Sequence, residues 1–192
     1  MLRTLSRILA PRRRLLRRRR QIVEDFHRLY FNDVFDKRLR ANWLGVELLK
    51  YPADLIVYQE IIHEIRPDLI VETGTHHGGS ALFFASILDL IGQGKVISID
   101  VTRRNNLPHH PRITYLVGSS TAEDVVAEVA SRVAGLQTVL VTLDSGHTKQ
   151  HVAQEIDIYR HFVTKGSYLI ADRSRERFPL TSNPNGFLLR IA

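Results

Sequence analysis

The chain has 192 residues, of which 44% are hydrophobic and 24% charged. That length carries one complete core and is short for two domains, and no stretch approaches the roughly 20 uncharged apolar residues of a membrane-spanning helix. The absence of cysteine excludes a disulfide framework, a thiolate nucleophile and a Cys-ligated zinc or iron–sulfur centre, and it agrees with a cytoplasmic chain.

The net charge of +7 is concentrated at one end: residues 1–20 hold nine arginines and no acid, which leaves residues 21–192 near −2. Such basicity belongs to an arm rather than to a folded nucleic-acid-binding face, so nucleic acid is not an expected partner. Leu2, Leu5, Ile8, Leu9, Leu15 and Leu16 are interleaved with the arginines, and Pro11 interrupts a continuous helix. Three readings of this flexible arm stand side by side: a solvated tail, peripheral attachment to an anionic membrane surface at the inner face, and a cleaved targeting peptide or RNA contact.

Beyond the arm, residues 21–66 read as a helical segment. Ile22 to Leu39 has Ile22, Phe26, Leu29 and Tyr30 at helical spacing, and a second helix opens at Pro52 and stops before Pro67. An alternation of strands and helices then fills a core at 67–172. Leu69–Thr73 predicts a buried strand, Gly79 to Ile91 a helix closed by Gly92 and Gly94, and Lys95–Asp100 and Ile113–Val117 two more strands. Thr121–Val133 predicts a helix, Thr138–Asp144 a strand, His147–Phe162 a helix and Ser167–Asp172 a fifth strand. Five apolar strands separated by helices or crossovers imply an α/β fold with a doubly wound, mainly parallel sheet covered on both faces.

In such sheets ligands bind outside the carboxyl ends of the strands. Polar function gathers there: Glu72-Thr73-Gly74, Asp100, Asp144 and Asp172 each end a predicted strand. In the segment Glu72 to Ser80, Gly74 permits a tight turn, while Gly78 and Gly79 are expected to let the backbone approach a ligand at a helix start. The spacing Gly-x-x-x-Gly, with no Lys-Ser/Thr after it, argues against a dinucleotide pyrophosphate and a phosphate-binding Walker loop. It suits a ligand without phosphates such as S-adenosylmethionine. Asp100, 28 residues after Glu72, is placed to accept hydrogen bonds from ribose hydroxyls.

The second constellation runs from Leu143 to His151. His147 and His151 lie four apart, one helical turn if the helix has begun. A zinc site from that pair has no HExxH pattern behind it, and the plain alternative has His147 capping the helix and His151 in solvent. Asp144 and Asp172 offer two hard oxygen ligands at adjacent strand ends, which suits Mg²⁺ better than Zn²⁺.

The segments NWLGVELLKYPADLIVYQEII, DLIVETGTHHGGSALFFASILDLIG, KVISIDV, HPRITYLVGSS and LDSGHTKQHVAQEIDIYRHFVTKGSYLI resemble the cephalosporin hydroxylase / rhamnosyl O-methyltransferase family over about residues 42–172. The resemblance implies a Rossmann-like class I methyltransferase fold that uses S-adenosylmethionine and, in many members, Mg²⁺-dependent methylation of a sugar hydroxyl. It places Glu72, Gly74, Thr75, Gly78 and Ser80 in the cofactor loop, Asp100 at the ribose, and Ser119 and Ser120 near the adenine. It makes Asp144 the first metal carboxylate, Asp172 a second, and His147 the general base. The family pattern has Glu-Asp where this chain has Ala171 and Asp172, and residues 173–192 depart from it, so a chain truncated or altered after about residue 172 is expected, with the C-terminal edge strands missing.

The leading expectation is an S-adenosylmethionine-dependent O-methyltransferase acting on a small-molecule or lipid-linked sugar, in lipid or antibiotic biosynthesis. The alternatives are a non-catalytic or defective cofactor-binding relative, and an oxidative iron enzyme built on Asp144, His147 and His151. Self-association as a homo-oligomer is a further partner that the reading admits.

Overall fold

The computed structural model describes residues 15–26, 29, 41–146, 148–171 and, as backbone, 187–190. It divides into two compact units, Met1–Arg40 and Ala41–Ala192. In the first, residues 15–26 form a helix, α1, with mostly exposed side chains. The anticipated border between arm and body at residue 20 therefore falls inside a helix. Residues 27, 28 and 30–39 of the helix expected from Ile22 to Leu39 lie outside the described residues.

The second unit opens with a feature the hydrophobic pattern did not suggest. Strands β1 (Ala41–Trp43) and β2 (Val46–Leu48) pair as an antiparallel hairpin in which Trp43 faces Val46. Leu44 at φ 48° and Gly45 at φ 84° form its two-residue turn. Two successive left-handed residues match the twist of the flanking strands, so this Leu-Gly pair closes a hairpin between the two helices expected within residues 21–66. Helix α2 (Pro52–Ile65) follows as expected, with Pro52 in its first turn. It ends at Arg66, whose left-handed φ of 45° and N–H bond to Ile62 O stop the helix one residue before Pro67.

The remaining elements are β3 (Leu69–Thr73), α3 (Gly79–Ile91), β4 (Lys95–Asp100), β5 (Ile113–Val117), α4 (Glu123–Val133), β6 (Val139–Leu143), α5 (Lys149–Tyr159), β7 (Tyr168–Ala171) and β8 (Phe187–Arg190). The sheet order is β5-β4-β3-β6-β7-β8, with the first five strands parallel. The order reverses on either side of β3, the switch point at which such sheets open a ligand crevice. Strand β8 runs antiparallel to β7, pairing Leu189 with Leu169. One antiparallel edge strand is therefore present where such strands were expected to be missing, with Phe187–Arg190 as partner for the β7 edge. Helices α4 and α5 begin two residues later than expected, β6 is one residue shorter at each end, and β7 begins one residue later, with Asp172 at its expected far end outside the described residues.

Successive strand residues feed two cores. Ile70, Val96 and Leu140 pack with Ile62, Phe84 and Leu88 on one face, whereas Val71, Ile97 and Val141 pack with Val129, Tyr159 and Leu169 on the other. Burial of β3 over its whole length explains why it reads as a continuous apolar run up to Glu72. The β1–β2 hairpin is fastened to α3. The Trp43 ring meets Phe83 edge-on at 4.9 Å and its Nε1–H donates to Ser86 Oγ at 3.0 Å. A Cβ on Gly79 would stand 2.2 Å from Glu47 O, so the hairpin backbone occupies the space that a side chain would need. Gly79→Ala is accordingly expected to lower stability by about 1–3 kcal/mol, the usual cost of overpacking, as read from urea denaturation; an unchanged midpoint would show that the hairpin is not seated there.

Candidate active site

The carboxyl ends of β3, β4 and β6 converge on a cluster of buried polar side chains. Glu72, fully buried at the end of β3, accepts a hydrogen bond from Ser98 Oγ at 2.6 Å, and Ser98 Oγ in turn contacts Thr75 Oγ1 at 2.7 Å. Its other oxygen, Oε1, is buried with no hydrogen-bond partner among the described residues. Burial, the largest influence, pushes the Glu72 carboxyl up to about 7; Lys50, Ser80 and Ser98 oppose the rise and Asp144 adds to it.

Lys50 was not anticipated. It lies between β2 and α2, almost wholly buried, and its Nζ reaches Asp144 Oδ2 at 2.8 Å with the Tyr58 ring centroid 5.4 Å away. The Tyr58 hydroxyl meets Thr142 Oγ1 at 2.9 Å, which ties α2 to β6 beside the ion pair. A lysine that charges a buried site is invisible in a one-dimensional pattern, because its partner is 94 residues away. The only local signal is a cation directly after an apolar run, Val46 to Leu49 interrupted by Glu47.

The glycines of the turn make room for protein. A Cβ on Gly74 (φ 92°) would stand 2.0 Å from Asp144 O, and one on Gly78 (φ 80°) 2.7 Å from Pro108 Cδ and 3.1 Å from the Tyr115 hydroxyl. A Cβ at Gly78 or Gly79 would thus meet protein first, Pro108 and Tyr115 at the one and Glu47 O at the other. The turn itself is closed by Gly78 N–H donating to Thr75 O at 2.8 Å, and Ser80 sits buried at the start of α3.

Asp100 ends β4, where Oδ2 accepts the His76 N–H at 2.9 Å and Oδ1 the Thr102 N–H at 2.8 Å. It thus organises the glycine turn as well as standing where a ribose acid is expected. Ser119 caps the approach to α4 through contacts with Thr121, and buried Ser120 contacts His151 Nε2 at 3.3 Å. His151 is not a solvated helix residue. Its Nε2 lies 3.0 Å from Ser145 Oγ, which donates to Glu155 Oε1 at 2.6 Å, and Tyr159 donates to Ser120 O at 2.8 Å. Since the Ser145 proton goes to Glu155, its oxygen accepts from His151, which fixes the proton on Nε2. This network binds the Ser119–Ser120 loop to the segment that carries Asp144.

His147 and Asp172 lie outside the described residues. Of the three residues in the iron reading, Asp144 is paired with Lys50 and His151 with Ser145 and Glu155. Among the described residues neither belongs to a group of side chains converging as metal ligands. Of the two carboxylates expected to hold Mg²⁺, Asp144 alone is described. Asp144 already holds an ammonium, and the β7 position expected to carry a glutamate is Ala171.

A doubly wound parallel sheet with a glycine turn at the switch strand, a buried acid before it and an acid ending the next strand defines a Rossmann-like, nucleoside-cofactor class of protein. Comparison narrows it. The family model for rhamnosyl O-methyltransferase/CmcI matches residues 37–175, and the chain belongs to that family of S-adenosylmethionine-dependent O-methyltransferases. It is 35% identical over 159 residues to a rhamnosyl O-methyltransferase of Mycobacterium leprae (strain TN), covering 80% of this chain and 68% of that one. It is 31% identical to that of Mycobacterium bovis (strain BCG / Pasteur 1173P2), covering 80% and 64%. The chain thus spans about two thirds of the length of these relatives. Among solved structures, "cmcI-N160 SAH" superposes with a TM-score of 0.53 at 24% identity over 69% of this chain and 66% of that one. The methyltransferase MycE from the mycinamycin biosynthetic pathway, in complex with Mg, SAH and mycinamycin VI, gives 0.52 at 17% identity over 61% and 31%. Both likenesses support the fold.

The raised carboxyl of Glu72 has a signed consequence for stability. Between about pH 4.5, where a free glutamate ionises, and about 7, the folded chain keeps a proton that the unfolded chain has released. The associated stabilisation is complete below the lower value and is lost as pH rises through the upper one. Wild type should therefore lose of order 1–3 kcal/mol across that window relative to Glu72→Gln, measured by denaturant titration at each pH; parallel curves would contradict it.

Proposed function

We propose that the chain binds S-adenosylmethionine at the glycine turn after β3 and transfers its methyl group to a hydroxyl of a sugar. The observation that carries the reading is Glu72: a buried carboxylate with one oxygen unpartnered, beside the turn, suits the ammonium of an amino-acid group. Gly74, Thr75, Gly78 and Ser80 shape the same end of the site, Asp100 faces the ribose, and Ser119 and Ser120 border the adenine. When bound, the cofactor supplies a methyl group on a sulfonium, which departs as a neutral thioether.

The protein's own task is to hold and deprotonate the acceptor oxygen. His147 takes that proton, since an imidazole near its ordinary range works near neutral pH. The Lys50–Asp144 pair holds the end of β6 in place. Positioning of the two reactants contributes much of the rest. Asp172, one of the two carboxylates expected to hold Mg²⁺, lies outside the described residues, and no step is routed through the ion. A lipid-linked sugar fits the basic segment of residues 1–20, whose arginines would meet anionic headgroups; a free sugar-bearing natural product is the other acceptor class. A cofactor-binding protein without transfer is a second reading, favoured by Ala171.

Calorimetric titration with S-adenosylmethionine and S-adenosylhomocysteine tests the cofactor assignment. Both carry the amino-acid group, so both should bind, and affinity should rise with pH through about 7 as Glu72 gives up its proton to meet the ammonium. Glu72→Gln should weaken binding by about tenfold to a hundredfold, the worth of a charge-assisted hydrogen bond, and flatten the pH dependence. No binding by the wild-type chain would sink the proposal. His147→Ala should keep cofactor affinity and lower kcat toward an active sugar acceptor by about a hundredfold or more. Unchanged turnover would remove His147 as the base, and cofactor binding with no turnover on any sugar would favour the second reading.

A further inference from the structure

Outside the polar cluster around Glu72, a second group of side chains converges where the β1–β2 hairpin meets the glycine turn. Glu47 comes from β2, while His76 and His77 come from the turn between β3 and α3. One ligand atom from each lies within 4.8 Å of the other two, and Glu47 Oε1 is 3.8 Å from His77 Nε2. Consecutive residues in an extended chain point apart. Here His76 adopts a left-handed φ of 49°, and the two imidazoles stand edge to face with centroids 4.1 Å apart. A non-glycine residue in that region is uncommon and is found where the surroundings hold it. Two surroundings do so: the His76 N–H is fixed by Asp100, and Gly78 closes the turn on Thr75.

We propose that Glu47, His76 and His77 form a binding site for a first-row transition-metal cation of the Zn²⁺ type, linking the hairpin to the turn. Two imidazoles and one carboxylate are the donor set that borderline cations take, and a hard cation such as Mg²⁺ prefers oxygen alone. All three residues are partly exposed although Glu47 Oε1 itself is out of solvent, and the fourth position is left for water. His76 holds a proton less readily than a free imidazole, because of burial first and then of His77 and Arg104, which favours the neutral ring that a metal needs. The site is distinct from the Asp144 end of β6, and it does not depend on what the cofactor is. Its structural effect is local: the ion would cross-link Glu47 to the loop that Asp100 already holds, and so add to the Trp43 and Gly79 contacts that seat the hairpin on α3.

The test is calorimetric titration of the untagged full chain with ZnCl₂ alone, with Co²⁺ absorption as a second readout of tetrahedral ligation. One ion per chain is expected, with a rise in melting temperature on Zn²⁺ addition. Glu47→Gln and His77→Ala, both partly exposed positions, should each weaken binding by about tenfold to a hundredfold or more, because loss even of a group supporting a ligand has that effect. His63→Ala, on the exposed face of α2, should leave it unchanged. The proposal is overturned by any of three results: no stoichiometric Zn²⁺ binding, binding that survives both ligand substitutions, or binding lost in Asp144→Asn but kept in Glu47→Gln.

Discussion

The ion pair between Lys50 and Asp144 is the contact on which the functional end of the sheet depends. It joins the segment between the hairpin and α2 to the carboxyl end of β6, and it does so with both charges largely out of water. Withdrawing an ammonium and a carboxylate from solvent costs several kcal/mol each, so such a pair persists only where its geometry is good and its neighbours complement it. Tyr58 under the ammonium and Thr142 beside it are those neighbours here. Glu72 adds a second carboxyl nearby, and burial above all lets it keep its proton up to about pH 7, with Lys50 opposing the rise and Asp144 adding to it.

This arrangement changes how the site is understood. The strand-end acids suggested a pair of metal ligands, with Asp144 the first of them. A lysine at 2.8 Å gives Asp144 a positive partner that belongs to the chain. The turn before it is held in the same inward-looking way: Gly74 admits the Asp144 carbonyl, Gly78 admits Pro108 and Tyr115, and Gly79 admits Glu47 O. At these three positions the missing side chains make room for other pieces of protein.

Much of the sheet was legible in the amino-acid sequence because its central strands, β3, β4 and β6, are buried on both faces, while β5 beside them is half-buried but still apolar. Leu69–Thr73, Lys95–Asp100 and Ile113–Val117 stand where the apolar runs indicated them, and α3 runs from Gly79 to Ile91 with Gly92 as its left-handed cap. The hairpin was missed because its turn residue is Leu44, a side chain that rarely accepts a left-handed backbone, so the pair Leu-Gly does not advertise a turn. Lys50 and the Ser145–His151–Glu155 network were missed for another reason. Both join residues through space, from a helix or hairpin to a strand end, and periodicity carries no information about such partners. The strand-end acids were legible as a group; their partners were not.

The most direct test of the ion pair's central place is Lys50→Met, which keeps the length and apolar stem and deletes the charge. Calorimetric titration with S-adenosylmethionine, alongside urea denaturation, reads both consequences at once. The account predicts a loss of about 3–5 kcal/mol in stability from the stranded Asp144, and weakened cofactor binding that added Mg²⁺ does not restore. A variant as stable as wild type, with unchanged cofactor affinity, would contradict it.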